Sequence, residues 1–181
     1  MSHIPQINIE NITGSHRALF DQIKGAFGVV PNMFTTIGNS EAALESMWTS
    51  FGALGKGSLD AKLGEQIAVL VADINRREYC LAAHTALGQK AGATLDEMAN
   101  AQSGKAADAK TQAALDFTSA VVNKRAGVSK EEIAMLKEAG FTNEGVAEIL
   151  AHIALNIFTN YTNVAFDVPV DFPKVTLRSA A

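Results

Sequence analysis

Apolar positions recur every three to four residues along the chain, and the breaks between these runs fall at glycine, proline, serine and threonine. That period predicts helices, with the breaks as their caps. The first helix covers about Ser15 to Phe27 and stops at Gly28, ahead of a V-V-P-N stretch around Pro31. A short one follows from Met33 and closes at Gly38-Asn39. Ser40 caps a third, which carries Leu44, Met47, Trp48 and Phe51 and ends near Gly55-Lys56-Gly57. Ser58 opens a fourth through Ile74, a fifth covers Glu78 to about Lys90, and a shorter one starts at Thr94. Gln102 to Lys105 reads as a loop. Ala106 to about Lys124, Ser129 to Glu138 and Thr142 to about Ala165 complete the set. Ser129 and Glu132 have the spacing of a capping box, and Gly140 supplies the stop that follows. No stretch alternates as a strand does, so the predicted fold class is all-α.

The 181 residues fit one helical domain, 1-181. Within it, 1-57 holds the N-terminal helices, 58-100 a helical hairpin and 106-181 the C-terminal helices. E-Q-I-A-V-L-V-A-D-I-N (65 to 75) and E-I-L-A-H-I-A-L-N-I-F (148 to 158) echo one another too faintly to define a repeat.

Polar residues on these helices are the candidates for chemistry. Winding residues 59 to 74 at about 100° per residue puts Leu63, Ile67, Leu70, Val71 and Ile74 on one face. Lys62, Gln66 and Asp73 fall on an opposite stripe expected to be solvated. Glu65 falls between Val69 and Ala72 on the apolar flank, where solvation is the commoner fate and a buried partner the alternative. On the next helix the single cysteine, Cys80, shares a face with His84 and Leu87. Only Asn75 to Arg77 separates the two helices, so they are expected to pair antiparallel. At about 1.5 Å per residue, Glu65 lies about 15 Å before the turn and His84 about 11 Å beyond it. Their side chains are then within reach, which sets a carboxylate, an imidazole and a thiol in one place. Packing remains the commoner reason for a lone Cys–His pair. These three residues, without a second cysteine, also make a poor zinc set, so no metal and no cofactor is expected.

Charge removes other classes. Fifteen Lys and Arg against nineteen Asp and Glu give a net charge of −4 with no basic stripe, which argues against nucleic acid as a partner. The N-terminus lacks a signal-peptide pattern, and no run of 18 apolar residues suggests a membrane span. One cysteine cannot form an internal disulfide, which fits a cytoplasmic protein. Asn11-Ile12-Thr13 and Asn160-Tyr161-Thr162 match the glycosylation pattern but carry no weight without secretion.

The last helix carries a second polar series: Glu148, His152, Asn156, Asn160 and Asn163, with no lysine or arginine between residues 138 and 173. A series of amides and one histidine suits a solvated face, a polar cavity wall or a hydrogen-bonded interface equally.

Glu65, followed by Arg77-Glu78-Tyr79-Cys80 and then His84, resembles the alkylhydroperoxidase D-like family of the carboxymuconolactone decarboxylase superfamily. V-V-P-N-M-F (29 to 34), A-L-N-I-F-T-N-Y-T-N-V (154 to 164) and D-F-P (171 to 173) resemble the signatures of its peroxidase-related branch. The resemblance implies that Cys80 attacks a peroxide in an antioxidant role while His84 and Glu65 relay the proton. The departure is Arg77, which stands where complete members have the first cysteine of a C-x-x-C pair. Without that resolving thiol, the sulfenic acid left on Cys80 needs an external thiol reductant or another subunit. Arg77, with Tyr79 beside it, is instead a candidate to stabilise the thiolate or bind substrate. That opens the non-redox alternative of the decarboxylase branch, an acid–base enzyme acting on a carboxylated substrate anchored by Arg77. A catalytically silent homologue is the third reading. His152, Asn156 and Asn160 are candidates to line a pocket or an interface. The resemblance further implies a homo-oligomer, trimer or hexamer.

Overall fold

The computed structural model describes residues 2–178. After a single 3-10 turn at Ile9–Asn11, the described residues form nine α-helices and no strand. They are α1 Gly14–Phe27, α2 Asn32–Ile37, α3 Glu41–Leu54, α4 Ala61–Ile74, α5 Glu78–Lys90, α6 Leu95–Gln102, α7 Ala109–Asn123, α8 Lys130–Glu138 and α9 Asn143–Ala165. The predicted all-α class is therefore correct. None of these helices is long and apolar enough to cross a membrane.

Local chemistry explains most of the boundaries. Ser40, Thr94, Ser129 and Thr142 each accept a backbone N–H at the head of their helix, and both Thr94/Glu97 and Ser129/Glu132 form complete capping boxes. Two predicted starts are corrected. Asp60, rather than Ser58, caps α4, accepting from Lys62 N at 2.7 Å. Ser58 is engaged elsewhere: its N–H and hydroxyl both donate to Glu148 of α9. Likewise Asp108 caps α7, so that helix begins three residues later than Ala106.

The centre of the molecule is α4, packed against α5, α6, α7 and α9. Its Val69, Leu70 and Ala72 enter a core with Phe20, Ile23, Phe34, Leu44, Met47 and Leu81. Its Leu63, Ile67 and Val71 enter a second core with Ala114, Phe117, Leu136, Ile149 and Ile153. A helix surrounded in this way keeps Lys62 half-exposed in its first turn but buries the rest of the expected stripe, which corrects the reading of Gln66 and Asp73; both are 4% exposed. Asp73 is buried because it is paired. It accepts from Gln102 Nε2 at 2.7 Å and Arg178 Nε at 2.9 Å, with Arg178 Nη2 at 2.8 Å. Burial pushes its carboxyl up, but Gln102 and Arg178 outweigh that and hold it below the usual range.

The α4–α5 hairpin turns within three residues. Arg77 N donates to Ala72 O and Arg76 N to Asp73 O, the paired bonds of a Schellman motif, with Arg76 in the left-handed region at φ 59°. This turn sets α5 antiparallel to α4 and delivers Cys80 and His84 alongside Glu65.

Candidate active site

His84 Nδ1 lies 2.7 Å from Glu65 Oε2, across the hairpin. A carboxylate only accepts, so Nδ1 carries the proton, and in the neutral form of the ring Nε2 is the nitrogen left with a lone pair. The Glu65 side chain is 24% exposed, which makes it partnered and half-buried rather than solvated. One turn before His84, Cys80 is buried at 2% exposure. Both open, with Glu65, onto a cavity of about 290 Å³.

The rest of that cavity is apolar. Phe27, Phe34, Trp48, Phe51, Tyr79 and Phe172 supply six aromatic rings to its wall. They brace one another: Phe34 meets the Trp48 edge at 5.8 Å, and Phe172 meets Tyr79 at 5.7 Å. The V-V-P-N-M-F segment and the D-F-P segment close this side together. Asn32 N donates to Asp171 Oδ2 at 2.7 Å, and Met33 N donates to the Tyr79 hydroxyl at 3.2 Å. Burial and the neighbouring Asp171 carboxylate push the Tyr79 phenol far above its usual range, so it stays neutral.

The polar series on α9 faces inward, as an interface with α4 and α5. Asn163 Nδ2 donates to Cys80 Sγ at 3.1 Å and also lies 3.3 Å from Met33 Sδ. The Cys80 thiol faces Thr159 Oγ1 at 3.9 Å, and Asn160 Oδ1 accepts from Asn75 of the hairpin turn at 3.0 Å. Burial pushes the Cys80 thiol up; Asn163, Thr159, Asn160 and finally Arg77 pull it down without cancelling that effect. The expected lowering by Arg77 is thus outweighed by desolvation.

Arg77 does not line the cavity. It precedes α5 as its N-cap, and its Nε is buried with no hydrogen-bond partner among the described residues. Tyr79 does line it. His152 and Asn156 lie behind the Glu65–His84 pair, on the wall of a second cavity, and Asn160 packs at the hairpin turn. Sequence reasoning missed Thr159 and the aromatic wall. The six rings come from five separate segments, and nothing in their spacing announces that they converge. Among the described residues no group of three His, Cys, Asp or Glu side chains is arranged to hold a metal ion.

The α4–α5 hairpin brings Glu65, Cys80 and His84 together within an all-α fold, and comparison with known proteins shows what the chain is similar to. Residues 42–123 match the model of the Carboxymuconolactone decarboxylase family. That match spans less than half of the chain, and the solved structures similar to it share its fold. An alkylhydroperoxidase AhpD core structure, an uncharacterized peroxidase-related protein from Ralstonia eutropha JMP134, shares the fold with a TM-score of 0.86 at 22% identity, over 94% of this chain and 92% of that one. An uncharacterized peroxidase-related protein from Silicibacter sp. TM1040 gives 0.82 at 21% identity, over 92% and 89%. The debrominase Bmp8, in a cysteine-to-alanine form in complex with 2,3,4-tribromopyrrole, gives 0.80 at 19% identity, over 94% of each chain. No curated protein sequence matches the chain.

Proposed function

We propose that the protein is a one-cysteine, thiol-dependent peroxidase-like oxidoreductase that reduces small, uncharged organic hydroperoxides in an antioxidant role. The observation that carries this reading is a buried cysteine opening, with a carboxylate-bound histidine, onto one apolar cavity. His84 Nε2 takes the Cys80 proton, and the thiolate attacks the outer peroxide oxygen. The O–O bond breaks and the alkoxide leaves as an alcohol on protonation, with Cys80 left as the sulfenic acid. Two equivalents of an external thiol then return it to the thiol, releasing water and a disulfide.

The cavity wall supports an uncharged substrate over a carboxylated one. Among the described residues no lysine or arginine lines it, and Arg77 lies outside it, so no cation there would balance a buried carboxylate. This lowers the acid–base decarboxylase reading. A second thiol reading is favoured by the aromatic wall: reductive removal of bromide from a halogenated ring, the kind of molecule bound in the Bmp8 structure. Steady-state assays with cumene hydroperoxide, hydrogen peroxide and a brominated pyrrole, each with a thiol reductant, test both. Cumene hydroperoxide turnover that vanishes in Cys80→Ser is the expected result. Bromide release without peroxide turnover moves the second reading to first place, and no thiol-dependent turnover sinks both.

Leu150, Phe158 and Tyr161 are exposed on α9, whose residues from Ile149 to Ala165 carry no Lys, Arg, Asp or Glu. That surface supports self-association, to the expected trimer or hexamer, which light scattering would measure directly.

A further inference from the structure

Glu65 and His84 form part of the wall of two cavities at once. In front is the aromatic chamber with Cys80; behind is a smaller one of about 150 Å³, lined by Asp60, Gly64, Glu65, His84, His152 and Asn156, among others. The two chambers differ in chemistry. The rear wall sets imidazole, carboxylate and amide groups among Phe51, Leu54, Leu59 and Leu155, and Asn156, 3% exposed, has its Oδ1 buried there without a hydrogen-bond partner among the described residues. A buried acceptor of that kind is normally satisfied by water, and the volume is enough for several molecules at about 30 Å³ each. The His152 ring lies directly on α4: a Cβ at Gly64, the residue before Glu65, would come within 3.2 Å of its Cε1.

We infer that the rear chamber is the proton entrance to the site, and that His152 is the positioning residue that passes protons between water in it and the Glu65–His84 pair. The inference rests on the peroxidase-like reading for its need. Per turnover a hydroperoxide, two thiolates and two protons become an alcohol, water and a disulfide. One proton goes to the departing alkoxide and one to the hydroxide displaced from the sulfenic acid. With the reductant reacting as thiolate, both protons come in the end from water, the first replacing the one that His84 took from Cys80. They must reach a site behind six aromatic rings while substrate or reductant fills the front chamber. The half-buried His152 is the group suited to relay them. The titratable groups that face it are Glu65 and Asp60 from the α4 side, His84 from α5 and Glu148 from its own helix. Burial lowers its basicity, so the ring is neutral at pH 7 and able to accept as well as donate.

The test pairs two variants with two readouts. His152→Phe fills the rear chamber, and His152→Ala enlarges it without adding atoms, which keeps the test sound should the bulkier ring prevent folding. Turnover of cumene hydroperoxide should fall on the order of tenfold in kcat in both, with KM changed less than about twofold. Added imidazole should restore the alanine variant in a saturable way and leave the phenylalanine variant unchanged. Unaltered kcat in the alanine variant, or a loss that imidazole does not restore, overturns the inference. The second readout needs no reaction: exchange of the His84 Nδ1 proton with water, followed by 15N NMR of the free protein. Slower exchange in the variants supports the entrance, and exchange at the parent rate rejects it. Slowed exchange in a protein without peroxide turnover would reject the peroxidase-like reading and leave the proton entrance standing.

Discussion

Asn163, near the end of α9, donates its side-chain amide to the sulfur of Cys80 across 83 residues of sequence, at 3.1 Å. A thiol held in an apolar wall would stay protonated, and this amide is the largest single influence in the other direction. The reactivity of the site is therefore set by a contest between burial on α5 and hydrogen bonding from α9.

That contest predicts a titration. Burial wins, so the iodoacetamide rate of Cys80 should rise with a midpoint above about 8.5, the free-cysteine value. Asn163→Leu removes the donor and should move the midpoint higher still. A midpoint below that of free cysteine would mean that the thiolate is stabilised by something other than these contacts.

The same shifts make the fold sensitive to alkali. Cys80 and Tyr79 both have folded-state pKa values raised above their unfolded ones. Their contribution is fully present below the unfolded values and is lost as pH rises beyond them. Stability to urea should decline from about pH 8.5 upward, and Cys80→Ala should flatten the first part of that decline. Equal slopes in the two proteins would exclude the thiol as the cause. Asp73 has the opposite sign: its lowered pKa stabilises above about pH 4 and is lost on acidification.

Glu65 orients His84 through one contact of 2.7 Å, so Glu65→Gln keeps the shape and loses the charge. Peroxide turnover should fall by about a hundredfold with little change in melting temperature. A variant that retains full turnover would reduce the pair to a packing contact.

Arg77 is the N-cap of α5 rather than a residue within it, so a cysteine placed there is not held to helical geometry. Arg77→Cys should lose both free thiols on one equivalent of peroxide and turn over with a dithiol reductant. Two thiols surviving peroxide would show that positions 77 and 80 cannot meet.

The C-terminal segment that presents Phe172 to the cavity is anchored by Arg178 on the buried Asp73. Arg178→Met should cost about 1–3 kcal/mol in chemical unfolding, because it strips the buried carboxylate of its cationic partner. It should also raise the KM for cumene hydroperoxide. Loss of stability with KM unchanged would separate the anchor from the pocket.

Periodicity and caps make the helices legible in the sequence, because both are local: a 3.6-residue repeat and a Ser or Thr three residues before a glutamate need no distant partner. Glu65, Cys80 and His84 are legible for a similar reason, since a three-residue turn leaves two helices little choice but to pair. The burial of Gln66 and Asp73 escapes a helical wheel, which ranks residues by side and does not count neighbours. With packing partners all round α4, Gln66 and Asp73 are buried along with its apolar positions, while Lys62 in the first turn stays half-exposed. The balance at Cys80 escapes the sequence likewise: Arg77 is visible three residues away, whereas the desolvation that outweighs it comes from the packed interior in which Cys80 is buried. The aromatic wall and the second chamber behind His84 belong wholly to tertiary structure. A cavity is defined by what lies across it, and Phe27, Trp48, His152 and Phe172 become neighbours of Cys80 or His84 only when every helix is in place.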